Sequence, residues 1–214
     1  MQLSLEQKVK DLFSGDFEIF NNNEQVGKIS FEGKLASMEA NISGTFYGKT
    51  FSLNCVNEML TGSNIKFRPY NIIENNSIVG EIFQTEYRKN IFSKYEYIKC
   101  LYNQKEYKLY CIGLGKRGVC PLYYKDEQIA EINKDGIVYN DLHNYDIYSA
   151  SKDCAFIALL ASCYMYVTTC YKSGIKMTKS VKKNYSKTTN KELNLKYNPD
   201  WVNEIKEGNY NGSK

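Results

Sequence analysis

Two periodicities divide the chain. From about residue 16 to 148, apolar positions alternate with polar ones in short runs separated by turn residues. Phe51, Leu53 and Cys55 alternate with Ser52 and Asn54; Tyr107, Leu109 and Cys111 alternate with Lys108 and Tyr110. A period of two puts one set of side chains on a buried face, so these runs predict about ten to twelve half-buried strands. Asp135-Gly136, between Ile132 and Ile137-Val138-Tyr139, predicts a short hairpin turn. Beyond residue 150 the period changes. Cys154 to Tyr171 reads CAFIALLASCYMYVTTCY, 18 residues without a charge, Gly or Pro. Ser149 or Ser151 can cap it, Asp153 suits its first turn, and Gly174 with Lys172 and Lys176 suits its end. A helix over about 152–172, apolar on every side, is predicted, and such a helix lies inside protein or inside lipid.

The N-terminus carries a third pattern. Ser4 and Gln7 form the S-x-x-Q of a capping box, and Leu5, Val9, Leu12 and Phe13 follow at helical spacing. A short amphipathic helix over 5–13, laid on the outside of the body, is expected.

The strand region repeats itself. Residues 17–29 (FEIFNNNEQVGKI) align without gaps on 70–82 (YNIIENNSIVGEI). Ile19 then meets Ile72, Asn22-Asn23 meets Asn75-Asn76, and Val26-Gly27 meets Val79-Gly80. A looser third copy runs from Cys120 to Ile132, with Asp126 at the turn and Ile129-Ala130 in place of Val-Gly. Each copy reads as strand, turn, strand, a β-hairpin. A period of about 50 residues also fits propeller blades, but a propeller wants four or more and the chain has room for three. A closed antiparallel barrel fits better because it leaves no strand edge exposed. The fold class expected is therefore mostly β: about twelve strands wrapped around one apolar C-terminal helix.

Placing that helix turns on composition. It spans about 27 Å, marginal for a hydrocarbon layer of about 30 Å. Ala155, Ala158, Ala161 and Ser162 suit close approach to surrounding strands. Burial in the barrel is the first reading; a membrane anchor formed by 154–171 is the alternative. The chain has 214 residues, 43% of them hydrophobic, enough for one core without staples. Its seven cysteines are odd in number and lack a C-x-x-C pair, and the first residues lack a signal-peptide pattern. A reducing, cytoplasmic setting is expected, with membrane association through the tail. From Lys172 onward ten Lys stand against Glu192, Asp200, Glu204 and Glu207, so the tail carries +6 of a net +4 and the remainder −2.

The pattern resembles the tubby C-terminal-like superfold, which includes the LURP-one-related proteins and phospholipid scramblases. The resemblance rests on the hairpins ending Val26-Gly27-x-Ile29 and Val79-Gly80-x-Ile82 and on Tyr107 to Ile132, with its Gly113-Leu-Gly-Lys-Arg-Gly118. It rests also on Tyr145-Asp-Ile-Tyr148 running into Asp153 and the helix. It spans roughly residues 15–172 and implies a twelve-stranded barrel threaded by its helix, with binding of or action on membrane phospholipid. No Lys/Arg set matches the tubby phosphoinositide site. Between Leu142 and Asp153 only Asp146 and Asp153 could serve calcium, which wants six to eight oxygens, so no calcium is expected.

Candidate chemistry is sparse. Gly113-x-Gly115-x-x-Gly118 matches the dinucleotide string, but a strand-like Val119-Cys-Pro-Leu-Tyr-Tyr follows where the pyrophosphate needs a helix. The one histidine, His143, reads as a surface-loop residue beside no nucleophile motif, and zinc-ligand spacing is absent. Glu81 and Glu131, equivalent in two repeats, read as solvent-facing. Cys163 and Cys170 read as small side chains on one helix face. Neither an enzyme nor a cofactor nor a metal is expected. The candidate site is the tail, where Lys172, Lys176, Lys179, Lys182, Lys183 and Lys187 form a run free of acids. An anionic phospholipid surface or another anionic partner is expected there, ahead of a nucleic acid. Asn198-Pro199-Asp200 predicts the start of a short helix near 199–206, with Trp201 and Ile205 on one face. The division expected is a barrel domain over 1–172 and a basic tail over 173–214, and the function a binding or scaffold protein.

Overall fold

The computed structural model describes residues 1–33, 40–56, 68–90, 93–113, 117–171, 174–182, 185, 188 and 190–210. Twelve antiparallel strands close into a barrel. In chain order the first eleven are β1 (Gln2–Lys10), β2 (Ser14–Asn21), β3 (Glu24–Gly33), β4 (Ala40–Phe46), β5 (Lys49–Cys55), β6 (Tyr70–Glu74), β7 (Ser77–Asn90), β8 (Ser93–Tyr102), β9 (Lys105–Leu109), β10 (Arg117–Tyr124) and β11 (Glu127–Asp135). A two-residue β12 (Ile137–Val138) leaves the wall, β13 (Asn144–Ser149) rejoins it, and α1 (Lys152–Met165) then turns into the barrel and ends in a π-helical turn, Tyr166–Cys170. The tail supplies β14 (Val181–Lys182), α2 (Lys191–Lys196) and α3 (Trp201–Glu207).

The sequence repeat is a repeat of register. Ile19 pairs with Gly27, Ile72 with Gly80 and Leu122 with Ala130, and the ladder shifts by one residue immediately afterwards in all three hairpins. The extra residue is Val26, Val79 or Ile129, a β-bulge that bends the wall and increases its twist. Each bulge turns a carbonyl toward the next connection. Tyr47 N–H donates to the Val26 carbonyl at 2.7 Å, Asn103 N–H to Val79 at 3.1 Å and Ala150 N–H to Ile129 at 3.0 Å. Gly27 and Gly80 permit this closeness, since a Cβ there would collide with the Thr45 or Leu101 carbonyl oxygen.

Three four-stranded units follow from it: β2–β5, β6–β9, and β10, β11, β13 with β1. In the first two the bulge pins a tight turn opening on a left-handed residue, Tyr47 or Asn103. In the third the chain enters α1 instead, so the twelfth place in the wall goes to β1, paired with β13 on one side and β2 on the other. The Met1 amine donates to the Ser149 carbonyl at 2.9 Å, and Ser149 N–H donates back to Met1 at 2.9 Å.

That closure corrects the expected N-terminal helix over 5–13. Leu3, Leu5 and Gln7 point inward with period two, while Val9 is exposed, and the Ser4 hydroxyl donates to the Glu6 carboxylate at 3.1 Å in place of capping a helix. A second correction concerns Asp135-Gly136. It forms no hairpin, because β11 pairs with β13, and β12 pairs outside the wall with β14.

The apolar helix fills the barrel, as its pattern requires. Eleven of the fourteen α1 residues are buried, from Ala155 to Met165. Ser151 is the N-cap, its hydroxyl accepting from Cys154 N–H at 3.2 Å, with Asp153 in the first turn. Phe156 meets Phe46 and Phe51; Tyr164 meets Tyr70; Tyr166 meets Phe17 and Phe31. Fully buried aliphatics such as Leu53, Ile72, Leu159 and Leu160 each contribute roughly 1.5–3 kcal/mol. Tyrosine hydroxyls tie the helix to the wall: Tyr164 donates to the Arg68 carbonyl at 3.0 Å and accepts from Gln84 N–H at 2.8 Å.

Candidate functional site at the helix C-terminal end of the barrel

The two ends of the barrel differ because the hairpin turns gather at one of them. The turns at Asn22-Asn23, Tyr47-Gly48, Asn75-Asn76 and Asn103-Gln104 surround the start of α1. The opposite end receives the end of β1, the start of β2, the β11–β13 connection and the π-helical turn. The described part of the tail crosses this end before descending the outer wall. Gly174 N–H donates to the Leu12 carbonyl at 2.8 Å, β14 pairs with β12, and Thr188 N–H donates to the Ile112 carbonyl at 2.8 Å.

Beneath that cover the barrel holds a buried polar cluster. Gln7, Lys10, Lys134, Asp141 and His143 are all buried. His143 is therefore a core residue, 2% exposed, where a surface-loop residue was expected. The reason lies in β1: the Gln7 side-chain oxygen accepts the His143 backbone N–H at 3.0 Å, and the His143 carbonyl accepts Gln7 N–H at 3.2 Å, which draws the connection inward. Lys134 Nζ lies 2.7 Å from His143 Nδ1, and Nε2 faces the Asp141 carboxylate at 3.6 Å. Both ring nitrogens face charged side chains of the protein itself, which places the imidazole inside an internal polar network. Lys10 Nζ donates to the Asp11 carbonyl at 2.6 Å and sits 4.6 Å from the Tyr171 ring centre. Burial lowers the pKa of this amine, with Asp141 opposing the shift.

Over the cluster, the surface combines apolar and basic side chains. Eight large hydrophobic residues are exposed among those described, and five of them, Val9, Leu12, Ile137, Tyr139 and Ile175, belong to this end. Lys176, Lys179 and Lys182 are exposed as well. Lys176 makes a loose pair with Asp11 at 3.8 Å. Lys182 lines a groove of about 630 Å³ with Arg117, Ile137 and Tyr139, where Glu6 and Asp135 supply two opposing charges. Of the six lysines expected to form the site, Lys172, Lys183 and Lys187 lie outside the described residues. Of the other three, Lys176 beside Asp11 and Lys182 in the groove stand at this end, and Lys179 is exposed between them in the chain.

The apolar half of this surface had no place in the sequence reading. Leu12 was assigned to a helix stripe and Ile137 with Tyr139 to a hairpin strand. The legible signal was Ile175-Lys-Met-Thr-Lys179, apolar and basic residues interleaved within the tail itself.

Other candidates resolve differently. Gly118 lies inside β10, so a strand does follow the glycine string. Glu131 is a correction: alternation points it outward as expected, yet it is 3% exposed. Its carboxylate accepts from Asn133 at 3.0 Å and Gln128 at 3.4 Å, and Tyr197 of the tail bonds to it. Glu81 is half-buried. Cys163 is buried and Cys170 partly so. α3 begins at Trp201, two residues after the expected start; Asn198 accepts from Asp200 N–H at 3.0 Å, and Trp201 is buried against the barrel. Among the described residues no group of three or more His, Cys, Asp or Glu side chains is placed to hold a metal ion.

No family model matches the chain, and no curated protein or solved structure matches it. What the coordinates establish is an architecture, a closed twelve-stranded antiparallel barrel around one apolar helix.

Proposed function

We propose that this protein is a tubby-like, non-catalytic binding module that docks on anionic phospholipid surfaces through the helix C-terminal end of its barrel. One observation carries the reading: exposed Leu12, Ile137, Tyr139 and Ile175 stand at one end with exposed Lys176 and Lys182, and Lys179 is exposed between these two in the chain. Apolar side chains rimmed by lysines suit a headgroup boundary, where the aliphatic groups enter and the ammonium groups meet phosphate. The barrel threaded by an apolar helix is the architecture that the tubby resemblance implies, which supports the family assignment without a sequence match.

Co-sedimentation tests this with phosphatidylcholine vesicles, with and without phosphatidylserine. Pelleting is expected only with the anionic vesicles and should weaken as salt rises. Each Lys near such a surface is worth about 1 kcal/mol, so Lys179→Glu or Lys182→Glu should weaken binding by about fivefold or more. Equal pelleting with both vesicle types, or none with either, removes the proposal.

The alternative, a bilayer anchor formed by 154–171, requires this segment to leave the barrel. Eleven buried α1 side chains would be withdrawn and the inward faces of twelve strands left without a filling. Extraction of the protein from cells without detergent counts against the anchor.

A further inference from the structure

Cys111 and Cys120 face each other beyond the β9–β10 ladder. Tyr110 N–H donates to the Pro121 carbonyl at 3.1 Å and Ile112 N–H to Val119 at 2.9 Å. These bonds flank residues 111 and 120 and set them opposite each other as a non-hydrogen-bonded pair, an arrangement with Cα atoms about 4.5 Å apart. The two sulfurs are 2.9 Å apart, and Met165 Sδ is 3.9 Å from Cys111 Sγ. Cys111 is exposed and Cys120 buried. Both line a cavity of about 710 Å³ between the barrel end and the tail, which Tyr185 and Thr188 also line. Scattered spacing in the sequence concealed this pair, because neither cysteine belongs to a recognisable motif.

We propose that Cys111 and Cys120 are a reversible oxidation site, closing to a disulfide with low-molecular-mass disulfides such as oxidised glutathione. The exposed Cys111 thiolate attacks one glutathione sulfur, forms a mixed disulfide and releases one glutathione thiolate. Cys120 then attacks Cys111 Sγ, its thiol proton passes to solvent, and the second glutathione leaves as a thiolate that takes up a proton. Two protein thiols and one glutathione disulfide become one protein disulfide and two glutathione thiols. The Cys120 thiol donates to Cys111, which lowers the Cys111 pKa, while the same bond and burial push that of Cys120 well up. The order of attack follows from access, since Cys111 is exposed and Cys120 buried.

Cys111 is exposed, and a bridge open to solvent on one side is the kind that glutathione can reopen. Closure ties together the ends of the ten-residue segment 111–120, on which the tail rests through Thr188.

The full chain in graded mixtures of reduced and oxidised glutathione, acid-quenched and alkylated, decides the matter. Toward the oxidised end, five of the seven thiols should take the alkylating group. Trypsin should release residues 109–116 joined to 118–125, because Lys116 and Arg117 lie between the cysteines. Excess reduced glutathione should restore all seven thiols. Cys120→Ser should stop at one glutathione on Cys111, and Cys111→Ser should leave Cys120 unmodified. Seven alkylated thiols at every ratio, a wild-type product carrying glutathione only, or a bridge that excess reduced glutathione leaves closed would each overturn the proposal. Should the variants fold poorly, the wild-type peptide map alone decides.

Discussion

Glu131 illustrates how a single side chain records what covers it. Its strand position points outward, where water would keep a carboxylate at its ordinary pKa. The tail shuts that water out, and desolvation raises the pKa above 4.5 against the bonds from Asn133, Tyr197 and Gln128. The folded protein therefore keeps this proton to higher pH than the unfolded chain does. Stability falls as pH climbs from the ordinary value through the raised one, and the penalty persists above it. Glu131→Gln keeps the oxygen that accepts from Asn133 and removes the charge. The variant should melt at a higher temperature than wild type at pH 7, with the gain shrinking as pH falls and smallest near about pH 3, where this carboxyl is protonated in the folded and unfolded chain alike. Thermal unfolding followed by circular dichroism across that range is the measurement. A gain independent of pH would mean that burial of charge is not the cause.

At the scale of elements, the strands, the helix and the threefold hairpin repeat were legible because each depends on local periodicity. Val26-Gly27, Val79-Gly80 and Ile129-Ala130 look alike in sequence because each makes the same bulge and presents the same carbonyl. β1 was illegible for the opposite reason. Leu5, Val9 and Leu12 satisfy a helix as a string, and only the vacancy left where the chain enters α1 requires a strand there. His143 and Glu131 were misplaced likewise, since partners 136 and 66 residues away in the chain, Gln7 and Tyr197, decide their burial. The two assignments of the N-terminus differ in one measurable respect. A helix over 5–13 would bury Leu5 and Val9 together, whereas the strand buries Leu5 and exposes Val9 at 42%. Leu5→Ala should cost about 2–5 kcal/mol, and Val9→Ala no more than about 0.5 kcal/mol, by chemical denaturation. Comparable losses at both sites would restore the helix.

At the scale of the molecule, the wall and its filling depend on each other. Twelve strands with apolar inner faces need something inside, α1 is too apolar to stand in water, and β1 completes the wall only once the residues after Ser149 have turned inward. Contacts of this kind join the two ends of the chain, so opening one section releases much of the rest. Cysteine labelling can read that coupling directly. Cys100 on the wall and Cys163 on the helix are both buried, and burial pushes each thiol up to about 12, whereas Cys111 lies at the surface. A thiol reagent applied to the reduced native protein should modify Cys111 first. Cys100 and Cys163 should follow together, at a rate set by global opening, because no local motion exposes one without disturbing the other. Leu5→Ala, which weakens only the closing strand, should then accelerate both by the factor by which it raises the population of the open form, roughly thirtyfold or more for a loss of 2 kcal/mol. Rapid labelling of Cys163 with Cys100 still protected would mean that the helix leaves the barrel on its own, which is what a membrane anchor would have to do.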